Sequence, residues 1–298
     1  MSLRTNELPV VPFSKDLKFV VDSNTENITG LASMDIFESK LADRFVGGGI
    51  SGKQLELTWE QLKERTKTGD FKGIHIGDWK EITLTGGEKV VMEVAGIDTY
   101  CRCGDKEIGH HIDFISRDCL KTAKVMNDTA TNNGNSTSKN PFLASTLNKY
   151  LNSTVYGMLP EDLKPCIIKK RALLEVRYDA QNANLVASSG WDWMDMGYLW
   201  IPFEREVFGD SVWGEQSWSG GGGCNIQYPI FENDALHRIK HKSYESILKA
   251  DWWLASARTA LATEFCVADN CDVASSTTAS KNDIHVAFGF RVAQPVSS

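Results

Sequence analysis

Apolar and polar positions along this chain follow two main periods, and their alternation maps its elements. The first apolar run, Leu17-Lys-Phe-Val-Val-Asp22, is β-branched with polar stretches on both sides, which predicts a strand within residues 1–31. Ser33 can then cap a helix on which Met34, Phe37, Leu41 and Phe45 recur on one face. Gly47-Gly48-Gly49 stops that helix and reads as a hinge. The stripe is narrow, and so short a segment buries little by itself. Residues 1–46 therefore lean on a partner chain or surface, or pack on their own chain.

A second helix is expected from Thr58, because Thr58-Trp-Glu-Gln61 fits a capping box, and it ends at Thr68-Gly69-Asp70. Glu81–Thr85 and Lys89–Ala95 alternate around Gly86-Gly87, a hairpin pattern. His111–Ile115 reads as another strand. Residues 127–140 are polar and low in complexity, hence a loop. Asn140 and Pro141 then suit the start of a helix whose stripe is Leu143, Leu147, Leu151 and Val155, closed by Gly157 and Pro160. Residues 167–178 read as a strand. From Ser188 to Gly223 the chain is rich in Trp and Gly with little regular period. Strands return at Trp252–Ala255, Glu264–Val267 and Val286–Val292. Two main helices, short strands and long loops predict an α+β fold.

Composition narrows the function classes. The chain has 298 residues with 32 Lys+Arg against 39 Asp+Glu, a net charge of −7. That balance, with no basic run, argues against a non-specific nucleic-acid binder. No stretch approaches the roughly 20 apolar residues of a membrane helix, so no membrane insertion is expected. The N-terminus carries no apolar signal core. Seven cysteines are an odd number, so at least one is free or bonded to another chain, and a chain made in the cytosol keeps them reduced.

Two parts of the sequence resemble known families. Thr5-Asn-Glu-Leu-Pro9 and Leu17–Asp22 resemble the N-terminal attachment segment of bacteriophage fibre and appendage proteins. That resemblance implies docking of a homotrimer onto phage capsid or tail proteins, with Leu8, Pro9, Phe19 and Val21 as attachment residues. Residues 58 to 293 resemble a domain of unknown function common in prophages of gut bacteria. The matching stretches are Gly77-Asp78-Trp79, Phe114–Asp118, Leu199–Gly209, Asp251–Leu254 and Ala287–Arg291. The family is similar to C-type-lectin-like folds, including formylglycine-generating enzymes and phage receptor-binding variable proteins, with Gly289-Phe290-Arg291 as a final-strand signature. The implied organisation is an attachment segment (1–46), a Gly-rich linker (47–57) and a C-type-lectin-like display domain (58–298). The implied protein is a non-enzymatic virion component, assembled in the bacterial host cytoplasm: a head fibre or decoration protein, or alternatively a tail receptor-binding protein. It would bind a host-surface glycan or protein.

Candidate chemistry is sparse. Cys266 and Cys271 resemble the copper-binding pair of formylglycine-generating enzymes, but the Arg-Gly-Gly-Ser motif is missing and Trp253-Leu-Ala-Ser-Ala257 stands in its place. Cys101-Arg-Cys103 and His110-His111 are zinc-ligand types without the usual C-x2-C spacing. His237 and His241 are four apart on a possible helix, without the H-E-x-x-H glutamate. Asp192 and Asp195 could serve as paired glycosidase acids, although chance carboxylate pairs are expected among so many acidic residues. The chain carries neither a nucleophile elbow nor a phosphate loop. No metal or other cofactor is expected. Trp252 and Trp253 read as core. Trp191, Trp193, Trp213 and Trp218 lie in loops, where an exposed ring can stack on a sugar or anchor a protein. Residues 257–283, with Asn270 and Asp272, fall where related phage proteins place their variable surface.

Overall fold

The structure is a computed structural model that describes residues 18–23, 28–33, 52–180, 190–214, 227–232 and 235–295. The chain divides into two units, Met1–Gly48 and Gly49–Ser298. In the first, β1 (Lys18–Ser23) pairs antiparallel with β2 (Ile28–Ser33), Lys18 opposite Ser33. The expected helix over 34–46 lies outside the described residues, as do Leu8 and Pro9; Phe19 and Val21 are on β1.

The large unit is built on a curled antiparallel sheet in the order β3-β4-β5-β15-β6. Its strands are β3 (Trp79–Thr83), β4 (Lys89–Ile97), β5 (Ile112–Ser116), β6 (Ile167–Ile168) and the last strand, β15 (Gly289–Val292). Gly86 and Gly87, at φ +109° and +91°, make the β3–β4 turn that side chains would strain. β5 and β15 are buried throughout, including Asp113 and Arg291, which lie opposite each other across the pair. β15 also pairs with β9 (Leu199–Trp200), so β9 and β6 lie in tandem along its second edge. Gly289 is required there, because a Cβ would meet the Trp200 ring at 2.5 Å and the Phe114 carbonyl oxygen at 2.7 Å.

The capping box at Thr58 starts α1 (Trp59–Arg65). Trp59 docks α1 edge-on against Phe114 (5.3 Å) and Phe290 (5.6 Å). The next helix differs from expectation at its start. Asn140 caps only one turn, and Ser145 caps α2 (Thr146–Tyr150), which continues through a π-helical turn (Leu151–Val155) into α3 (Tyr156–Met158). Leu147, Leu151 and Val155 are buried as the stripe requires.

Residues 167–178 form two strands, not one, because Lys170 turns inward between β6 and β7 (Arg171–Val176). The Trp/Gly-rich stretch also holds more order than its period suggested. β8 (Gly190–Asp195) pairs with β7, followed by β9 and α4 (Glu204–Phe208). After α5 (Pro229–Glu232) and a 3-10 turn (Ala235–Arg238) comes a short hairpin of β10 (Lys240–His241) and β11 (Lys249–Ala250). A small antiparallel sheet follows: β12 (Trp252–Ala257), β13 (Glu264–Ala268) and β14 (Ala274–Thr278). Trp252 and Trp253 are fully buried. The polar β14 was missed, since Ala-Ser-Ser-Thr-Thr carries no apolar alternation.

The later residues of the expected linker 47–57 pack with the large unit. Gln54 bridges Trp79 in parallel and Leu55 is buried, so these residues belong to the large unit.

Candidate functional site

A buried ionic core holds the frame of the candidate site. Asp113 on β5 faces Arg291 on β15, and the two pair bidentately at 2.7 and 2.8 Å with essentially no exposure. The Tyr228 hydroxyl donates to the same carboxylate (2.9 Å). Burial opposes the charge on Asp113, but the guanidinium outweighs it and holds the carboxyl at about 2. Beside this pair, Lys170 bonds Glu206 of α4, and its ammonium lies 4.1 Å from the Trp200 ring centre. Glu206 also accepts from the Tyr100 hydroxyl and the Phe203 N–H. Two cations therefore meet two anions at almost no solvent exposure, and α4 is pinned to the main sheet.

That anchorage fixes the chain leaving α4. Gly209 (φ +80°) turns it, and the buried Glu204 carboxylate accepts the N–H groups of Trp213 (3.1 Å) and Gly214 (2.8 Å). Residues 209–214 are so folded back against the small sheet. Burial raises the Glu204 carboxyl, although these N–H groups favour its charge.

Trp213 is the exposed product of this arrangement. Its indole N–H donates to the Ala274 carbonyl at the start of β14 (2.9 Å), and the Arg258 guanidinium stacks 4.6 Å from its ring centre. Arg258 is held in turn by Glu264 (2.7 Å) and the Ser276 hydroxyl (2.9 Å), which itself donates to Glu264 (2.7 Å). Trp213 remains 38% exposed, near the exposed Val212 and Val273. Ser211 of the same segment lines a cleft of about 30 Å³ together with Trp191, Glu175, Arg205, Leu174 and Ser256 among others. The face thus presents an exposed aromatic ring stacked on a planar cation, with a small cleft of mixed polar and apolar lining nearby. Such surfaces offer stacking and directional hydrogen bonds at little entropic cost.

The predicted site residues fall on this frame unevenly. Trp191 and Trp193 sit on β8 rather than in a loop; Trp191 lines the cleft, while Trp193 packs against the core and over Gly104. Trp213 is at the centre, and Trp218 lies outside the described residues. Asn270 and Asp272 shape the β13–β14 turn: Asn270 bonds Asp251 through its backbone and side chain, and Asp272 pairs with Arg238. Arg258, Glu264 and Ser276 fall within the expected segment 257–283, but sequence reasoning did not single them out. Opposite charges flanking the five residues 259–263 were the one available signal for the first two.

The remaining chemistry separates. Cys266 is buried in β13, where burial and Glu204 push its thiol well above the ordinary range, whereas Cys271 is exposed in a turn. His237 and His241 share no helix: His237 lies in the 3-10 turn and faces Glu93 (3.4 Å), and His241 faces Asp118 from β10 (2.9 Å). Asp195 is paired with Arg171 (3.1 Å). His111 is buried beside the ionic core and held neutral, its pKa brought to about 4 by burial and by Arg291. Among the described residues, Asp98, Cys101 and His110 form a group able to hold a metal ion.

Residues 114–297, more than half of the chain, match the model of a family described as Domain of unknown function (DUF6273). The chain belongs to this family. No curated protein and no solved structure matches it. The DUF6273 stretch takes in Lys170, Glu206 and Arg291 of the ionic core, and Trp213, Arg258 and Glu264 of the surface. It leaves out Asp98, Cys101 and His110.

Proposed function

We propose that the protein is a structural component of a phage particle, a head fibre or decoration protein. In this reading its large unit is a C-type-lectin-like display domain that binds a ligand on a host or mucosal surface. The observation that carries the reading is Trp213, exposed and locked on Arg258 by Glu264 and Ser276. It lies beside residues 257–283, where the resemblance to phage lectin-like proteins places recognition. The finer fold reading draws on the last strand at the heart of the main sheet and on a separate small sheet that carries turns. A β-hairpin in a distinct N-terminal unit suits attachment, and a trimer would multiply weak single-site binding.

The test has two arms. The full chain is screened on a glycan array and on host cell surfaces, with Trp213→Ala and Arg258→Ala beside it. Binding that falls at least tenfold in both variants supports the face; equal binding by all three removes it. Mass spectrometry of purified particles, released by inducing a host that carries the gene, then decides the location. The chain should co-purify with the particles, and its absence from them would end the virion reading.

A further inference from the structure

We propose that Asp98, Cys101 and His110 form a binding site for a zinc-class divalent ion. The ligand atoms these residues offer all lie within 4.8 Å of one another, and all three residues are half-buried, within reach of solvent. Carboxylate oxygen, thiolate sulfur and imidazole nitrogen together suit Zn²⁺ or Co²⁺, and disfavour Ca²⁺ or Mg²⁺, which take oxygen ligands. Three protein donors leave a fourth tetrahedral position for water.

The backbone prearranges this set. Asp98 directly follows β4, and His110 stands two residues before β5. The neck of the intervening excursion is tied by Asp98 N–H to the His111 carbonyl (2.9 Å) and by His111 N–H to Asp98 Oδ1 (2.9 Å). A turn closed by Cys101 N–H on the Asp98 carbonyl (3.0 Å) brings the thiol back over the carboxylate. Asp98 itself takes φ +53°, a conformation that Asp tolerates better than most residues. His110 Nδ1 already lies 2.6 Å from Asp98 Oδ2, and its ring is pressed against Gly69, where a Cβ would come within 2.7 Å. An ion would open the Asp98–His110 contact to the roughly 3.3 Å that two donors at about 2.0 Å subtend in a tetrahedron. Cys101 would release its proton to solvent as the sulfur–metal bond forms. His110 also lines a cleft of about 150 Å³ with Lys106, Lys169 and Arg171, so the site borders open space. His111 and Cys103 are not part of the set: His111 is fully buried and accepts the Tyr100 N–H on Nε2.

This proposal does not depend on the phage reading. The full chain is stripped with a chelator and titrated with Co²⁺ alone. One equivalent should produce a thiolate-to-cobalt charge-transfer band. Cys101→Ser should abolish it, His110→Gln and Asp98→Asn should weaken binding at least tenfold, and Cys103→Ser and Cys271→Ser should keep it. No band, or a band that survives Cys101→Ser or disappears with Cys103 or Cys271, overturns the proposal. If Cys101→Ser fails to fold by circular dichroism, the wild-type chain decides. Zn²⁺ should slow iodoacetamide labelling of Cys101 at least tenfold, read by peptide mass spectrometry, with Cys271 unchanged; equal slowing or none overturns the site.

Discussion

Asp113 and Arg291 show at the residue scale what burial does to charge. Each alone would be costly away from water, and each is tolerated because the other lies in bidentate contact. Removing one leaves the other buried and unpaired. Asp113→Ala should therefore cost about 3–5 kcal/mol, read as a lowered urea midpoint with unchanged slope. The same pair sets a pH dependence. The Asp113 carboxyl is held at about 2 in the fold, against roughly 4 in the unfolded chain. Its contribution is complete above about pH 4 and is lost as pH falls toward 2, because the unfolded state then takes up the proton first. The Asp113 carboxyl carbon resonance should titrate with a midpoint near 2. A midpoint near 4 would show that Arg291 does not hold it.

Elements here are decided partly by local signals and partly by what presses on them. The Thr58 box is local and exposed, so Thr58→Ala should cost about 1 kcal/mol and leave the fold intact. Gly289 is the opposite case, since nothing in Ala-Phe-Gly-Phe-Arg says that a Trp ring and a carbonyl oxygen crowd its Cα. Gly289→Ala should cost about 1–3 kcal/mol or more by overpacking the central strand, and thermal unfolding of both variants would compare them directly. The helix over Thr146–Met158 lies between these cases. Its stripe was legible, but its start was not, because Asn140 and Ser145 are both competent caps and the Asn140 side-chain N–H donates to the Glu175 carbonyl. Trp191 and Trp193 were misplaced for a related reason: Trp191-Asp192-Trp193 is a short alternation inside a Trp/Gly-rich stretch, and its pairing partner β7 lies elsewhere in the chain.

The two units divide the whole molecule at Gly48–Gly49, next to the hinge that the glycine run predicts. The large unit carries its own core, so a chain starting at Ile50 should keep the thermal midpoint of the full-length protein. Light scattering of the two chains then reports where assembly resides. A trimer that becomes a monomer on truncation would place assembly in the first unit, and a trimer in both would place it in the second. A full-length monomer would count against a fibre.

Nearest neighbours in the chain determined much by themselves: the first hairpin strand, the Gly86-Gly87 turn, the Thr58 cap, the buried Trp252-Trp253 strand and the α+β class. These depend on turn geometry, capping and side-chain period, which act over a few residues. Only the tertiary structure decided that β15 pairs with β5 across most of the chain, that Lys170 and Glu206 meet inside the core, and that Arg258 lies on Trp213. It also chose Asp98, rather than Cys103 or His111, to stand with Cys101 and His110. Such partners are set by how packed elements bring distant backbone together, and no local period encodes that.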